Sequence, residues 1–150
     1  ETAPRAVELA RTVGPDAIQL HGEWTPDEIG FVRAETEAKV LLTVDADEPA
    51  RAASFDGVAD ALVVDSTDES GAGGTGETHD WTATGELATR LTTPVVLAGG
   101  LTPENVAAAV QTAEPFAVDV SSGVELTPGR KDHNAVARFV ANAGREVAIV

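Results

Sequence analysis

Five short apolar runs recur along this chain, and each gives way to polar or glycine residues ahead of a helical stretch. They are AIQL (17–20), KVLLTV (39–44), ALVV (61–64), VVLA (95–98) and FAVDV (116–120). Each is too short for a helix and is bounded by turn residues, so each is predicted to be a strand. KVLLTV is apolar nearly throughout, which is the pattern of a strand covered on both faces. Strands that alternate with helices are joined by crossovers, and crossovers place them parallel in one sheet.

The intervening segments carry helix punctuation. A first helix is predicted over 1–13, with Pro4 in its opening turn, Val7, Ala10 and Val13 at helical spacing, and Gly14-Pro15 as the stop. Thr25-Pro26-Asp27-Glu28 joins a cap, a first-turn proline and an acid three residues on, so a second helix starts there and runs to about 35. Further helices are expected over 49–55 and 81–91, and after Asp132, whose helix buries Val136, Phe139 and Val140. The apolar tail REVAIV (145–150) adds either a short strand or a docking segment.

The stretch PVVLAGGLTPENV (94–106) is the most informative of the strand–helix junctions. A β-branched strand meets Gly99-Gly100, and Thr102 and Pro103 follow at the N-cap and first helical positions. Glycines without Cβ atoms let backbone approach a ligand, and the free N–H groups of a helix start favour an anion such as phosphate. The same residues also suit a tight turn in any parallel-sheet protein. Gln19, His21, Asp65, Gly99, Gly100, Asp119, Ser121 and Ser122 all fall at or just beyond predicted strand C-termini. That edge is where open α/β sheets and (β/α) barrels alike hold their ligands.

Charge and composition narrow the function. The formal net charge is −15, which argues against nucleic acid or an anionic membrane as partner. Acidic residues lie along the whole chain, as suits a solvated surface in a salt-rich cytoplasm. There is no cysteine, hence no disulfide, thiolate metal site or cysteine nucleophile. No apolar run approaches a membrane span, no signal-peptide pattern opens the chain, and a cytoplasmic protein is expected. His21, His79 and His133 show no metal-ligand spacing, so no metal is expected. GAGGTGETHD (71–80) is glycine-rich, mobile or ligand-shaped, but it is no nucleotide P-loop, because Glu77 stands where a lysine is needed.

Taken together, QLHG (19–22), VVDS (63–66), GGTGETHDW (73–81), LAGGLTPENV (97–106), FAVDVSSGVE (116–125) and PGRKD (128–132) resemble one family closely, in order and spacing. That family is phosphoribosylanthranilate isomerase of tryptophan biosynthesis, an intramolecular aldose–ketose isomerase. The resemblance implies an α/β fold of the (β/α)8 TIM barrel type. The likeness begins at the helix after the third barrel strand, so the expectation is a single partial barrel domain over 1–150. It would hold about five parallel strands, family strands four to eight, without the N-terminal strands.

The family's catalytic base is a cysteine at the end of strand one, and this chain has none. The implied reaction is an Amadori rearrangement of N-(5-phosphoribosyl)anthranilate to 1-(2-carboxyphenylamino)-1-deoxyribulose 5-phosphate, with no cofactor. Asp65 matches the family's general acid, a role that needs a carboxyl still protonated near neutral pH. Gly99 and Gly100, with Asp119, Ser121, Ser122 and Gly123, match the phosphate loops, where Asp119 is expected to organise backbone N–H groups. Gln19 and His21 are expected to line the pocket near the anthranilate or ribose.

The implied partner is a small phosphorylated substrate. A missing N-terminal segment or a second copy is the expected cover for open barrel edges, which otherwise invite aggregation. The alternative reading is an inactive phosphate-binding fragment without its base. A phosphosugar epimerase explains the GG and SSG loops but neither QLHG nor GGTGETHDW.

Overall fold

The structure, a computed structural model, describes residues 2–65 and 81–144. The glycine-rich 71–80 stretch with Glu77 and His79, and the REVAIV tail, lie outside the described residues.

The elements alternate as α1 (Ala3–Val13), β1 (Ala17–Leu20), α2 (Pro26–Glu35), β2 (Lys39–Asp45), α3 (Pro49–Ser54) and β3 (Ala61–Asp65). They continue as α4 (Trp81–Arg90), β4 (Val95–Leu97), α5 (Val106–Ala113), β5 (Ala117–Val118), β6 (Glu125–Thr127), β7 (Arg130–Lys131) and α6 (His133–Asn142). Strands β1 to β5 form one sheet in sequential order, every neighbouring pair parallel.

Local chemistry accounts for most boundaries. Gly14 ends α1 in the left-handed conformation at φ 65°, and its N–H donates to the Ala10 carbonyl. Thr25 and Glu28 close a capping box on α2: the Glu28 N–H donates to Thr25 Oγ1 at 3.3 Å, and the Thr25 N–H donates to Glu28 Oε2 at 2.9 Å. Asp132 caps α6 by accepting from the Asn134 N–H at 2.8 Å.

The two faces of the sheet differ. Leu20, Val40, Leu42, Val44, Leu62, Val64 and Val95 face the helices and pack with Val7, Ile29, Val32, Phe55 and Leu87 in one buried cluster. Their strand neighbours point the other way, because successive side chains alternate. That second face holds a smaller cluster of Ala61, Val63, Val96 and Ala98, with Leu41 and Ala117 against it. Over it lies a cavity of about 570 Å³ whose lining includes Gln19, Leu41, Val63, Val96, Ala117 and Asp119.

Three sequence expectations are corrected. The helix after Gly100 starts at Val106 with Asn105 as its N-cap, so Thr102 and Pro103 belong to the preceding turn. The Asn105 side chain closes that turn, its Oδ1 accepting from the Thr102 N–H at 2.7 Å and its Nδ2 donating to the Gly100 carbonyl at 3.0 Å. The last parallel strand is two residues long, although the Phe116 and Asp119 N–H groups extend its pairing to the Val95 and Leu97 carbonyls.

The third correction concerns the partial barrel of about five strands. Residues 125–131 add an antiparallel two-stranded ladder, β6 with β7, that the apolar pattern did not disclose. Its strands are short and solvent-facing, and they are held by the cross-strand pair Glu125–Lys131 and a turn at Gly129, φ 77°.

Candidate active site

The C-terminal ends of the parallel strands gather the polar residues. Asp65 is the last residue of β3, in register with Asp45 at the end of β2. Asp65, Asp45, Thr43, His21 and Arg51 line a cavity of about 290 Å³ at this edge. Among the described residues no hydrogen bond is made by the Asp65 carboxylate. Asp45 is engaged, its Oδ1 accepting from the Asp47 N–H at 2.9 Å and so turning the chain into α3.

Gln19 lies one strand away and donates from Nε2 to Oγ1 of the buried Thr43 at 3.0 Å. The His21 carbonyl accepts from the Trp24 indole N–H at 3.2 Å, tying the loop after β1 to the buried Trp24. Arg51 completes this wall. Its guanidinium donates to Glu23 Oε2 at 2.9 Å and to the Gly22 carbonyl at 3.1 Å, and it stands 5.6 Å from the Phe55 ring centroid. Arg51 therefore holds the β1 loop against α3 while facing the same cavity as Asp65.

The second group is built by the loops after β4 and β5. Gly99 and Gly100 take φ 82° and 61°, a left-handed pair that side chains other than glycine's adopt poorly. Beyond them the turn consumes its own N–H groups: that of Thr102 goes to Asn105 Oδ1, and that of Glu104 to Thr102 Oγ1 at 3.2 Å. Pro103 has none. The anion-binding capacity expected of a helix start at Thr102 is therefore absent.

What remains lies in the loops themselves. Among the described residues the backbone N–H groups of Gly99, Gly100, Ser122 and Gly123 make no hydrogen bond. The two loops touch, because Gly123 packs directly on the Leu101 carbonyl. Free N–H groups of this kind are suited to an anion, and they work here against a chain of net charge −15.

The structure thus places Asp65 and His21 on one cavity, Gln19 against its Thr43 wall, and Gly99, Gly100, Ser121, Ser122 and Gly123 on two touching loops. Asp119 departs from expectation. Its side chain is exposed at the rim of the 570 Å³ cavity, and among the described residues its carboxylate accepts no backbone N–H.

Sequence reasoning missed Thr43, Asp45, Arg51 and Lys131. Period-two alternation through KVLLTVD puts Thr43 and Asp45 on the Gln19 face, so they were readable in principle. Lys131 donates from Nζ to the Ser121 carbonyl at 2.9 Å and to Glu125 Oε1 at 2.8 Å. The hydrogen bond from Lys131, with a second from the Gly129 N–H, holds the Glu125 carboxyl below its usual range. Among the described residues no group of three His, Asp or Glu side chains is arranged to hold a metal ion, and no helix is long and apolar enough to cross a membrane.

The chain is similar to known proteins. A family model described as N-(5'phosphoribosyl)anthranilate (PRA) isomerase matches residues 4–142. An N-(5'-phosphoribosyl)anthranilate isomerase of Halorubrum lacusprofundi is 78% identical over 149 residues, which cover 99% of this chain and 70% of that protein. The crystal structure of the Thermotoga maritima phosphoribosyl anthranilate isomerase superposes with a TM-score of 0.81 at 35% identity, over 95% of this chain and 68% of that one. A solved isomerase in complex with reduced 1-(o-carboxyphenylamino)-1-deoxyribulose 5-phosphate gives a TM-score of 0.78 at 32% identity, over 95% and 66%.

The chain spans about two thirds of the length of the curated relatives it matches, 70% of the Halorubrum protein and 65% of one from Natronomonas pharaonis. Two expectations are corrected by these matches: a likeness confined to the family's C-terminal part without its N-terminal strands, and a partial barrel. The family model is matched along nearly the whole chain, and the barrel-type fold of the solved isomerases is followed over 95% of it. The chain belongs to the N-(5'-phosphoribosyl)anthranilate isomerase family, whose members isomerise that compound in tryptophan biosynthesis.

Proposed function

We propose that this chain binds N-(5'-phosphoribosyl)anthranilate with its phosphate on the two touching loops, and that Asp65 is the general acid of the isomerisation. The observation that carries the reading is the position of Asp65. It ends β3 on the cavity shared with His21 and Thr43, with no hydrogen bond to its carboxylate among the described residues.

The Asp65 carboxyl gives its proton to the ribose ring oxygen. The bond from that oxygen to C1 breaks as the anthranilate nitrogen lone pair forms a C1=N double bond. A proton then leaves C2, the electron pair moves to a C1=C2 double bond, and the nitrogen becomes neutral. The enolamine tautomerises to the 2-ketone, so the atoms of substrate and product are the same. The substrate nitrogen serves as the electron sink, and the sequence needs no cofactor. The proton acceptor at C2 is not assigned to a residue of this chain.

The N–H groups of Gly99, Gly100, Ser122 and Gly123 would hold the 5-phosphate, and Gln19 and His21 the nearer wall. A reduced product analogue bound by a solved relative supports a phosphorylated small molecule as ligand. The acidic surface supports a salt-rich cytoplasm as its setting.

The test is turnover of N-(5'-phosphoribosyl)anthranilate by the chain and by Asp65→Asn, alongside binding of the reduced product. Loss of an acid in this role lowers kcat by about 10²–10⁴-fold while leaving binding in place. An Asp65→Asn variant with undiminished kcat would overturn the assignment.

A further inference from the structure

We propose that Lys131 is a positioning residue for the phosphate seat: it grips the carbonyl of Ser121 and thereby sets the direction of the Ser122 N–H. The inference rests on the reading of the two loops as that seat.

The chain holds only two lysines, Lys39 and Lys131, so an ammonium group next to the SSG turn is not part of a general basic surface. The side chain folds back from β7 across the hairpin. Its Nζ lies 2.9 Å from the Ser121 carbonyl oxygen, 3.4 Å from Ser121 Oγ and 2.8 Å from Glu125 Oε1. An ammonium has three N–H donors, and three acceptors surround this one. Lys131 therefore reaches an anion through Ser121 and not by direct contact.

Peptide geometry supplies the coupling. The carbonyl of Ser121 and the N–H of Ser122 belong to one planar trans unit and point in opposite directions. Gripping the carbonyl on the hairpin side turns the Ser122 N–H to the other side. That N–H and its Gly123 neighbour make no hydrogen bond among the described residues. Without Lys131 the Ser121 carbonyl would keep only the long bond from the Val124 N–H, 3.4 Å, and could rotate its oxygen toward the seat, presenting a negative dipole where the phosphate oxygens would lie. The backbone here is already unusual, with Ser121 at φ −120° and ψ −89°, outside the helical and extended regions. Two contacts from outside the turn act on the loop, Gly123 against the Leu101 carbonyl and Lys131 on Ser121, beside the 3.4 Å bond from the Val124 N–H to the Ser121 carbonyl within it. The first fixes position and the second orientation.

The test uses inorganic phosphate as probe, titrated into the chain and into Lys131→Met and Glu125→Gln while backbone amide resonances and Tm are followed. Lys131→Met should bind phosphate about tenfold more weakly, the scale of one hydrogen bond to a charged group, and should lose the phosphate-dependent shift of the Ser122 amide. Glu125→Gln removes the ion pair of the hairpin but leaves the ammonium on Ser121. It should lower Tm while leaving phosphate affinity unchanged. Wild-type affinity in Lys131→Met overturns the proposal, as does a loss of affinity in both variants that follows their loss of Tm. If the unaltered chain binds no phosphate, the seat itself is wrong, and this inference falls with it.

Discussion

Gly123 lies so close to Leu101 that a Cβ atom on it would fall onto the Leu101 carbonyl oxygen, with the Val120 side chain 3.3 Å away on another side. The loops after β4 and β5 are thereby one structural unit, although more than twenty residues separate them in sequence. Backbone presses on backbone, so neither side can yield by changing a rotamer. Gly123→Ala should move the loops apart, weaken phosphate binding and destabilise the fold by about 1–3 kcal/mol, the range for overpacking a tight contact. Thermal unfolding and a phosphate titration check both parts. A variant with unchanged affinity would show that the loops need not touch to hold an anion.

The wall on the other side of the sheet edge depends on a single hydroxyl. Thr43, buried on the inner face of β2, is the acceptor for the Gln19 amide. Replacing it with valine keeps the shape and the β-branching but removes this hydrogen bond; Gln19 is exposed, so its amide turns to water and the loss is about 0.5–1.5 kcal/mol. Thr43→Val should lower stability and, if Gln19 lines the substrate pocket, raise KM with little change in kcat. Steady-state kinetics separate the two. A lowered kcat at constant KM would place Gln19 closer to the reacting atoms than its position implies.

The strand positions were legible because Val and Leu runs bounded by Gly, Pro and Asp have few other uses, and Asp65 was legible as the residue ending one of them. The start of α5 was not. Thr102-Pro103 carries the stronger local cap signal, whereas the Asn105 side chain bonds back to Thr102 and Gly100 and closes a turn first. The β6–β7 ladder escaped because ELTPGRK lacks an alternating apolar pattern, its stability coming from Glu125–Lys131 and the turn at Gly129. Lys131 was invisible for the same reason, since nothing in PGRKD says that the chain folds back onto Ser121. Residues defined by strand periodicity could be read, and residues placed by a side chain reaching across a turn could not.

The capping box on α2 offers a test of local against tertiary stabilisation. Thr25 Oγ1 takes the Glu28 N–H, and Glu28 Oε2 takes the Thr25 N–H, while the helix buries only Ile29 and Val32. Thr25→Ala should reduce the unfolding free energy by about 0.5–2 kcal/mol, measured by denaturant titration at constant salt. The cavity lined by Asp65 is walled by the loop just before this cap, so a larger loss accompanied by weaker substrate binding would mean that the cap also holds His21 and Gly22 in place.

Asp60 governs the pH response at the opposite end of the sheet. Burial pushes its pKa up, but the Val40 N–H at 2.9 Å and the nearby Arg33 and Lys39 charges outweigh this, and the net shift is downward from 3.8. A carboxyl with a depressed folded-state pKa binds protons less readily in the folded than in the unfolded chain. Its stabilisation is therefore fully present above the unfolded pKa and is lost as pH falls through the lower, folded one. Asp60→Asn should cost about 1–3 kcal/mol at pH 7, because it replaces a carboxylate hydrogen-bonded to Val40 and Arg33 while its side chain is only 13% exposed. The gap between the variant and the unaltered chain should begin to narrow as pH drops below 4 and close once the folded carboxyl is itself protonated, since both then present a neutral group to Val40. Denaturant unfolding at pH 7 and at pH 3 measures it. A gap that stays constant across this range would mean that the hydrogen-bond geometry, and not the charge on Asp60, supplies the stabilisation.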